Sequence, residues 1–171
     1  FHPGSMWNLY ALTKNEAWKN RATYYTKLLD TLQYWEGTHD LGFMIGDSYG
    51  NALKYVKNED YEKVMVQAAK SLSSRFKQNA GIIQSWESND RWVCPVIIDN
   101  MMNLEMLFEA TKISGDSTFY KIAVTHADTT MAKHFRKDYS SYHVLDYDTD
   151  TGEILKRNTA QGYRDESAWA R

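Results

Sequence analysis

Three short polar stretches, LTKNEAWK (12–19), VKNEDYEK (56–63) and ISGDSTFYK (113–121), are versions of one turn. Each leads from an apolar segment into a segment with one-sided helical periodicity. Asn15, Asn58 and Gly115 stand where a helix C-terminus favours a left-handed residue. Downstream of the turns, Trp18, Ala22, Tyr25, Leu29 and Leu32 share one 3.6-residue stripe. Val64, Met65, Ala68, Ala69, Leu72 and Phe76 share a second, and Phe119, Ile122, Ala123, His126, Ala127, Thr130, Met131 and Phe135 a third. Upstream of them, residues 6–12, 48–56 and 97–113 are apolar on most sides, which predicts buried helices. The pattern is an internal repeat of helical hairpins, so the predicted fold is all-α, with buried helices inside and one-sided helices outside.

Stacked hairpins put every short turn at one end and every long connection at the other. The long connections are EGTHDLGFMIGD, NAGIIQSWESNDRWVCP and DYSSYHVLDYDTDTGEILKRNTAQGYRDES. In the last, YHVLDY and EILK around DTDTG predict a β-hairpin. The loop face gathers His39, Asp40, Trp86, Asp99, His143 and Gln161, and loops on a rigid scaffold are where binding and chemistry concentrate.

Asp99 stands out because it follows Val96, Ile97 and Ile98 and precedes Met101, Met102 and Leu104. It supports two readings. As a helix N-cap it accepts backbone N–H bonds, which lower its pKa; as an acid desolvated against Ile97, Ile98 and Met102 it has a raised one. A second carboxylate would push it higher, and Asp40 on the neighbouring loop is the candidate. Asp40 is equally readable as a turn residue, with Gly42 supplying a positive φ. Trp86 fits a core position and a sugar-stacking platform alike. His126 and His134 lie on an apolar stripe and read as core, Cys94 reads as a small buried hydrophobe, and Pro3 suits a helix first turn.

A formal net charge of −2 without a basic run argues against a nucleic-acid partner. No apolar run reaches the length of a membrane span. There is no helical His pair with a Glu, no Cys cluster, and DYDTDTG lacks calcium-loop spacing, so neither a catalytic metal nor another cofactor is expected. One free thiol identifies no compartment, and cytoplasm and bacterial periplasm both stay open.

Seven stretches, FHPGSMWNLYALT, HDLGF, AGIIQSW, IIDNMMNL, SSYH, TAQG and DESAWAR, stand in the order and approximate spacing of one family. In them the chain resembles the unsaturated glucuronyl hydrolases, family 88 of the glycoside hydrolases. The resemblance implies an (α/α)6 toroid of six helical hairpins. Residues 1–171 would form a single domain that is about half of it, three hairpins and the start of a fourth, with an exposed apolar edge where the C-terminal half belongs. It also implies that Asp99 is the general acid and base and Asp40 its assisting carboxylate. Trp86, His143, His39 and Gln161 match positions contacting the unsaturated sugar, and Arg171 matches a site-facing arginine. Ala160 and His2 depart from the family pattern, which bears on subsite preference.

The implied reaction is hydration of a C4=C5 double bond at the non-reducing end of a lyase-generated oligosaccharide, releasing the unsaturated uronic acid. Three alternatives stay open: the sister unsaturated rhamnogalacturonyl hydrolases acting on pectin fragments, an ordinary two-carboxylate glycosidase, and a non-catalytic glycan-binding helical repeat.

Overall fold

The computed structural model describes residues 1–160 and residue 164; Gln161 and Arg171 lie outside the described residues. Helices α1 (His2–Thr13) and α2 (Glu16–Lys27) form the first hairpin. A 3₁₀ turn, Asp30–Tyr34, closes α2. The next inner element opens as a π-helical stretch, Gly42–Gly50, and runs into the short α3 (Asn51–Leu53). Its outer partner is α4 (Glu59–Ser73). A second 3₁₀ turn, Ile98–Asn103, leads into α5 (Leu104–Ser114), which pairs with α6 (Ser117–Lys133).

The short turns work differently from expectation at two of three places. Asn15 and Asn58 are extended N-caps rather than left-handed terminators. The Asn15 side chain accepts from the Ala17 N–H, and that of Asn58 from the N–H groups of Asp60 and Tyr61. A carboxamide satisfies otherwise orphaned helix donors better than it serves as a terminator. The left-handed residue of the first turn is Lys14 (φ 55°). At the third turn Gly115 does take the left-handed conformation (φ 75°), and Asp116 caps α6 through the Thr118 N–H.

One main core lies between the hairpins, built on fully buried Trp7, Ile45, Tyr49, Met65, Leu72 and Leu107. Burying an aliphatic or aromatic side chain of this kind contributes about 1.5–3 kcal/mol. Trp7 satisfies its indole N–H on Thr26 Oγ1 at 3.0 Å. The expectation of a uniformly buried first helix does not hold, because Leu12 is 83% exposed and only one face of α1 packs inward.

The predicted hairpin is present as β4 (Val144–Tyr147) and β5 (Ile154–Asn158). An unexpected strand, β3 (Pro95–Ile97), pairs antiparallel with β4, giving the order β3-β4-β5 with Ile97 opposite Val144. The segment from 97 onward is therefore a strand end and a 3₁₀ turn before it becomes helix, since β-branched Val96 and Ile97 suit a doubly covered strand. The remaining strands, β1 (Phe76–Lys77) and β2 (Ile82–Ile83), pair antiparallel below α6.

Candidate functional site

Asp99 owes its position to the 3₁₀ turn. With three residues per turn, side chains three apart share a face. Ile97, Asn100 and Asn103 are buried on one face, whereas Asp99 and Met102 occupy the open one. Asn100 donates to the Ile83 carbonyl at 2.8 Å, and Asn103 Oδ1 accepts the Phe43 N–H at 3.1 Å. The N-cap position belongs to Ile97, and no side-chain cap bond is made there. The N-cap reading of Asp99 is thereby set aside.

Among the described residues the apolar run does not enclose the carboxylate. The Asp99 side chain keeps 46% of its accessible surface among the described residues, and Met102 is 65% exposed. The apolar neighbours in sequence point elsewhere, Ile97 into the sheet and Leu104 into the helical core.

What stands beside Asp99 is His39. The His39 Nε2 atom lies 3.2 Å from Asp99 Oδ1 in hydrogen-bonding geometry, and 3.3 Å from Asp40 Oδ1. Asp40 and Asp99, from two different loops, thus flank one imidazole nitrogen. Their oxygens are separated by no more than these two contacts laid end to end. The ring itself is buried, and its Nδ1 meets the Ser85 carbonyl at 2.9 Å. Ser85 ties the site together further: its Oγ accepts the Ile97 N–H at 3.0 Å and its carbonyl also accepts the His39 N–H at 3.2 Å.

The Asp40 loop is seated by a close approach. Gly42 is helical, contrary to the expected positive φ, and a Cβ there would fall 2.6 Å from the Asn103 Cα. Its lack of a side chain lets the π-helical rod touch the 3₁₀ turn, which brings the Phe43 N–H onto Asn103. π-helical turns are uncommon and recur at functional sites.

His143 sits just before β4, where its carbonyl accepts the Ile98 N–H at 3.0 Å, so it adjoins the Asp99 turn. Its Nδ1 lies 3.1 Å from Thr159 Oγ1 and accepts the Ala160 N–H at 3.3 Å. Trp86 is half-buried and packs edge-on against Trp92, ring centroids 5.7 Å apart, beside Ile97 and Val144. Five of the residues expected at the site, His39, Asp40, Trp86, Asp99 and His143, are brought to the loop side around the β3–3₁₀ junction. Gln161 and Arg171 lie outside the described residues.

Sequence reasoning missed Ser85, Asn100 and Asn103. The spacing of Ile97, Asn100 and Asn103 carried a signal of period three; the Ser85 carbonyl, a main-chain group, carried none. Among the described residues no group of His, Cys, Asp and Glu could hold a metal ion. No helix among them is long and apolar enough to cross a membrane. A groove of about 560 Å³ runs between the π-helical rod with α3 and the α5 side, past Gly46, Gly50, Met65 and Met106. Its Gly42 and Met102 end adjoins the acid pair without containing it.

Helical hairpins with paired carboxylates on their long-loop side match a portion of an (α/α)6 fold. No protein-family model matches the chain. It is 45% identical over its whole length to an unsaturated glucuronyl hydrolase of Formosa agariphila, and spans 43% of that relative. The crystal structure of an unsaturated glucuronyl hydrolase specific for heparin superposes with a TM-score of 0.94 at 47% identity, covering 98% of this chain and 45% of that one. The enzyme of Bacillus sp. GL1, described as responsible for the degradation of glycosaminoglycan, superposes with a TM-score of 0.88 at 29% identity, covering 98% and 46%. The chain is similar over its whole length to the unsaturated glucuronyl hydrolases of glycoside hydrolase family 88, and spans less than half the length of these relatives.

Proposed function

We propose that the protein of which this chain is part removes the 4,5-unsaturated uronic acid residue at the non-reducing end of lyase-generated glycosaminoglycan oligosaccharides, by hydrating its C4=C5 bond. The observation that carries this is the placement of Asp40 and Asp99 against one histidine nitrogen on the loop face. Asp99 gives a proton to C4 while the alkene electron pair forms the new C–H bond, and positive charge develops at C5 next to the ring oxygen. Water attacks C5, and Asp99 takes its proton. The hemiketal so formed opens and frees the remaining sugar. Asp40 holds ring hydroxyls and, by its charge, keeps the proton on its partner. Trp86 stacks on the sugar, and His143 bonds polar groups of the unsaturated residue. Gln161 and Arg171 complete the set of polar and anionic contacts by family resemblance. Similarity to a heparin-specific relative at 47% identity favours glycosaminoglycan over pectin fragments.

The test is loss of the conjugated chromophore of unsaturated disaccharides by the full-length protein. Asp99→Asn should lower turnover by about 10²- to 10⁴-fold, the range of general acid–base assistance, with the melting temperature retained. Activity on pectin-derived disaccharides alone would move the substrate assignment to the rhamnogalacturonyl class. Unchanged turnover in Asp99→Asn would remove Asp99 from the chemistry.

A further inference from the structure

A general acid has to hold a proton until the alkene arrives, and the side chain beside Asp99 is His39. Its contacts show how. A carbonyl oxygen only accepts, so the 2.9 Å contact to Ser85 requires the hydrogen of a neutral His39 ring to sit on Nδ1. The Nε2 atom, 3.2 Å from Asp99 Oδ1, is then either a bare lone pair or the second N–H of an imidazolium. A bare lone pair facing an ionised carboxylate oxygen is repelled. The contact therefore needs a proton on the line between them, either donated by the Asp99 carboxyl or by the imidazolium. Asp40 Oδ1, 3.3 Å from the same nitrogen, adds a negative charge that favours keeping that proton in the cluster.

We propose that His39 is the positioning residue that stores the reaction's proton: with its Nδ1 committed to Ser85, its Nε2 shares one proton with Asp99 under the charge of Asp40. The inference rests on the hydration reading given above. In the resting site the three side chains hold one proton. Delivery to C4 leaves two carboxylates and a neutral ring. Deprotonation of the attacking water returns the proton to Asp99, where Nε2 again shares it, so the cycle closes without net gain or loss.

The surroundings suit this assignment. The described titratable groups acting on the ring are Asp40 on its own loop, Asp99 on the 3₁₀ turn and His126 on α6. Burial holds His126 at about 4, so it is uncharged near neutral pH and does not compete for the proton. Its Nδ1 accepts the Ile83 N–H at 3.0 Å, and the Ile83 carbonyl accepts from Asn100, so a fixed strand end separates it from the acid turn. The Ser85 segment brings to the ring a carbonyl and no charge.

The test uses the full-length protein labelled with ¹⁵N-histidine, His39 being assigned by comparison with His39→Gln. The expected spectrum has Nδ1 protonated throughout the working pH range, and an Nε2 resonance that moves on Asp99→Asn substitution. An Nε2–H tautomer with a bare Nδ1, or an Nε2 resonance indifferent to Asp99, overturns the proposal. Kinetics give an independent readout. His39→Gln should lower kcat by about 10²-fold or more with KM changed less than about threefold, and imidazole should restore kcat to His39→Ala. A raised KM with kcat intact marks a plain sugar contact and also overturns it. The spectrum of the unsubstituted protein decides the matter if the variants fail to fold. If that protein turns over no unsaturated disaccharide, the functional reading fails while the spectrum still reports whether the proton is shared.

Discussion

Asp99 and Asp146 show how one side chain acquires two uses. Asp146 is 1% exposed and accepts the N–H groups of Val93 (3.0 Å) and Cys94 (2.8 Å), with Lys156 Nζ 3.5 Å away; it pins the β3 approach to β4. Among the described residues no backbone N–H meets the Asp99 carboxylate, which faces a histidine and the open side. The residues that are buried without chemistry also have a measurable signature. His126 and His134 are fully buried, and desolvation is the main cause holding them at about 4 and about 3, below the usual histidine range. Electrostatic repulsion adds to this, from His39 for the first and from His126 for the second. The unfolded chain therefore binds protons below about pH 6.5 that the native protein refuses. The resulting stability is fully present above that pH and is lost as pH falls toward 4 and then 3. His134→Phe, which preserves stacking on Tyr147, should flatten the loss of stability between about pH 6 and 4 by about 1.4 kcal/mol per pH unit. Urea midpoints of the full-length protein across that range measure it; an unaltered slope means that His134 titrates freely in the native state.

At the scale of elements, the site is a meeting of three pieces: the π-helical rod after Asp40, the 3₁₀ turn carrying Asp99 and the Ser85 segment between β2 and β3. Gly42 sets the first contact. Gly42→Ala would place a methyl 2.6 Å from the Asn103 backbone, and a fixed main chain cannot yield as a flexible side chain does. Overpacking of this kind costs about 1–3 kcal/mol, and displacement of Asp40 relative to Asp99 should lower kcat more than KM changes. Denaturant midpoints and steady-state kinetics of the variant check both halves; full kcat alongside lost stability would show that the acid pair tolerates the shift. The hairpin periodicity was legible in sequence because burial of a helix face repeats every 3.6 residues. The π and 3₁₀ segments were not, since they depart from that period and arise from contacts between loops far apart in the chain. Asp40, Asp99 and His39 were recognisable as candidates from their motifs, while their meeting at one nitrogen was not, and β3 passed for the start of a helix.

The whole molecule arranges its helical hairpins so that long connections collect on one side, and the chemistry proposed there follows from that arrangement. Fold, homology and the grouping of His39, Asp40 and Asp99 all bear on one claim, that an alkene is protonated and then hydrated. Running the full-length protein on an unsaturated glycosaminoglycan disaccharide in heavy water, with NMR of the released uronic acid, tests it most directly. The account predicts one deuterium at C4 and loss of the double bond in step with sugar release. A released uronic acid that retains its C4=C5 bond and carries no deuterium at C4 contradicts it.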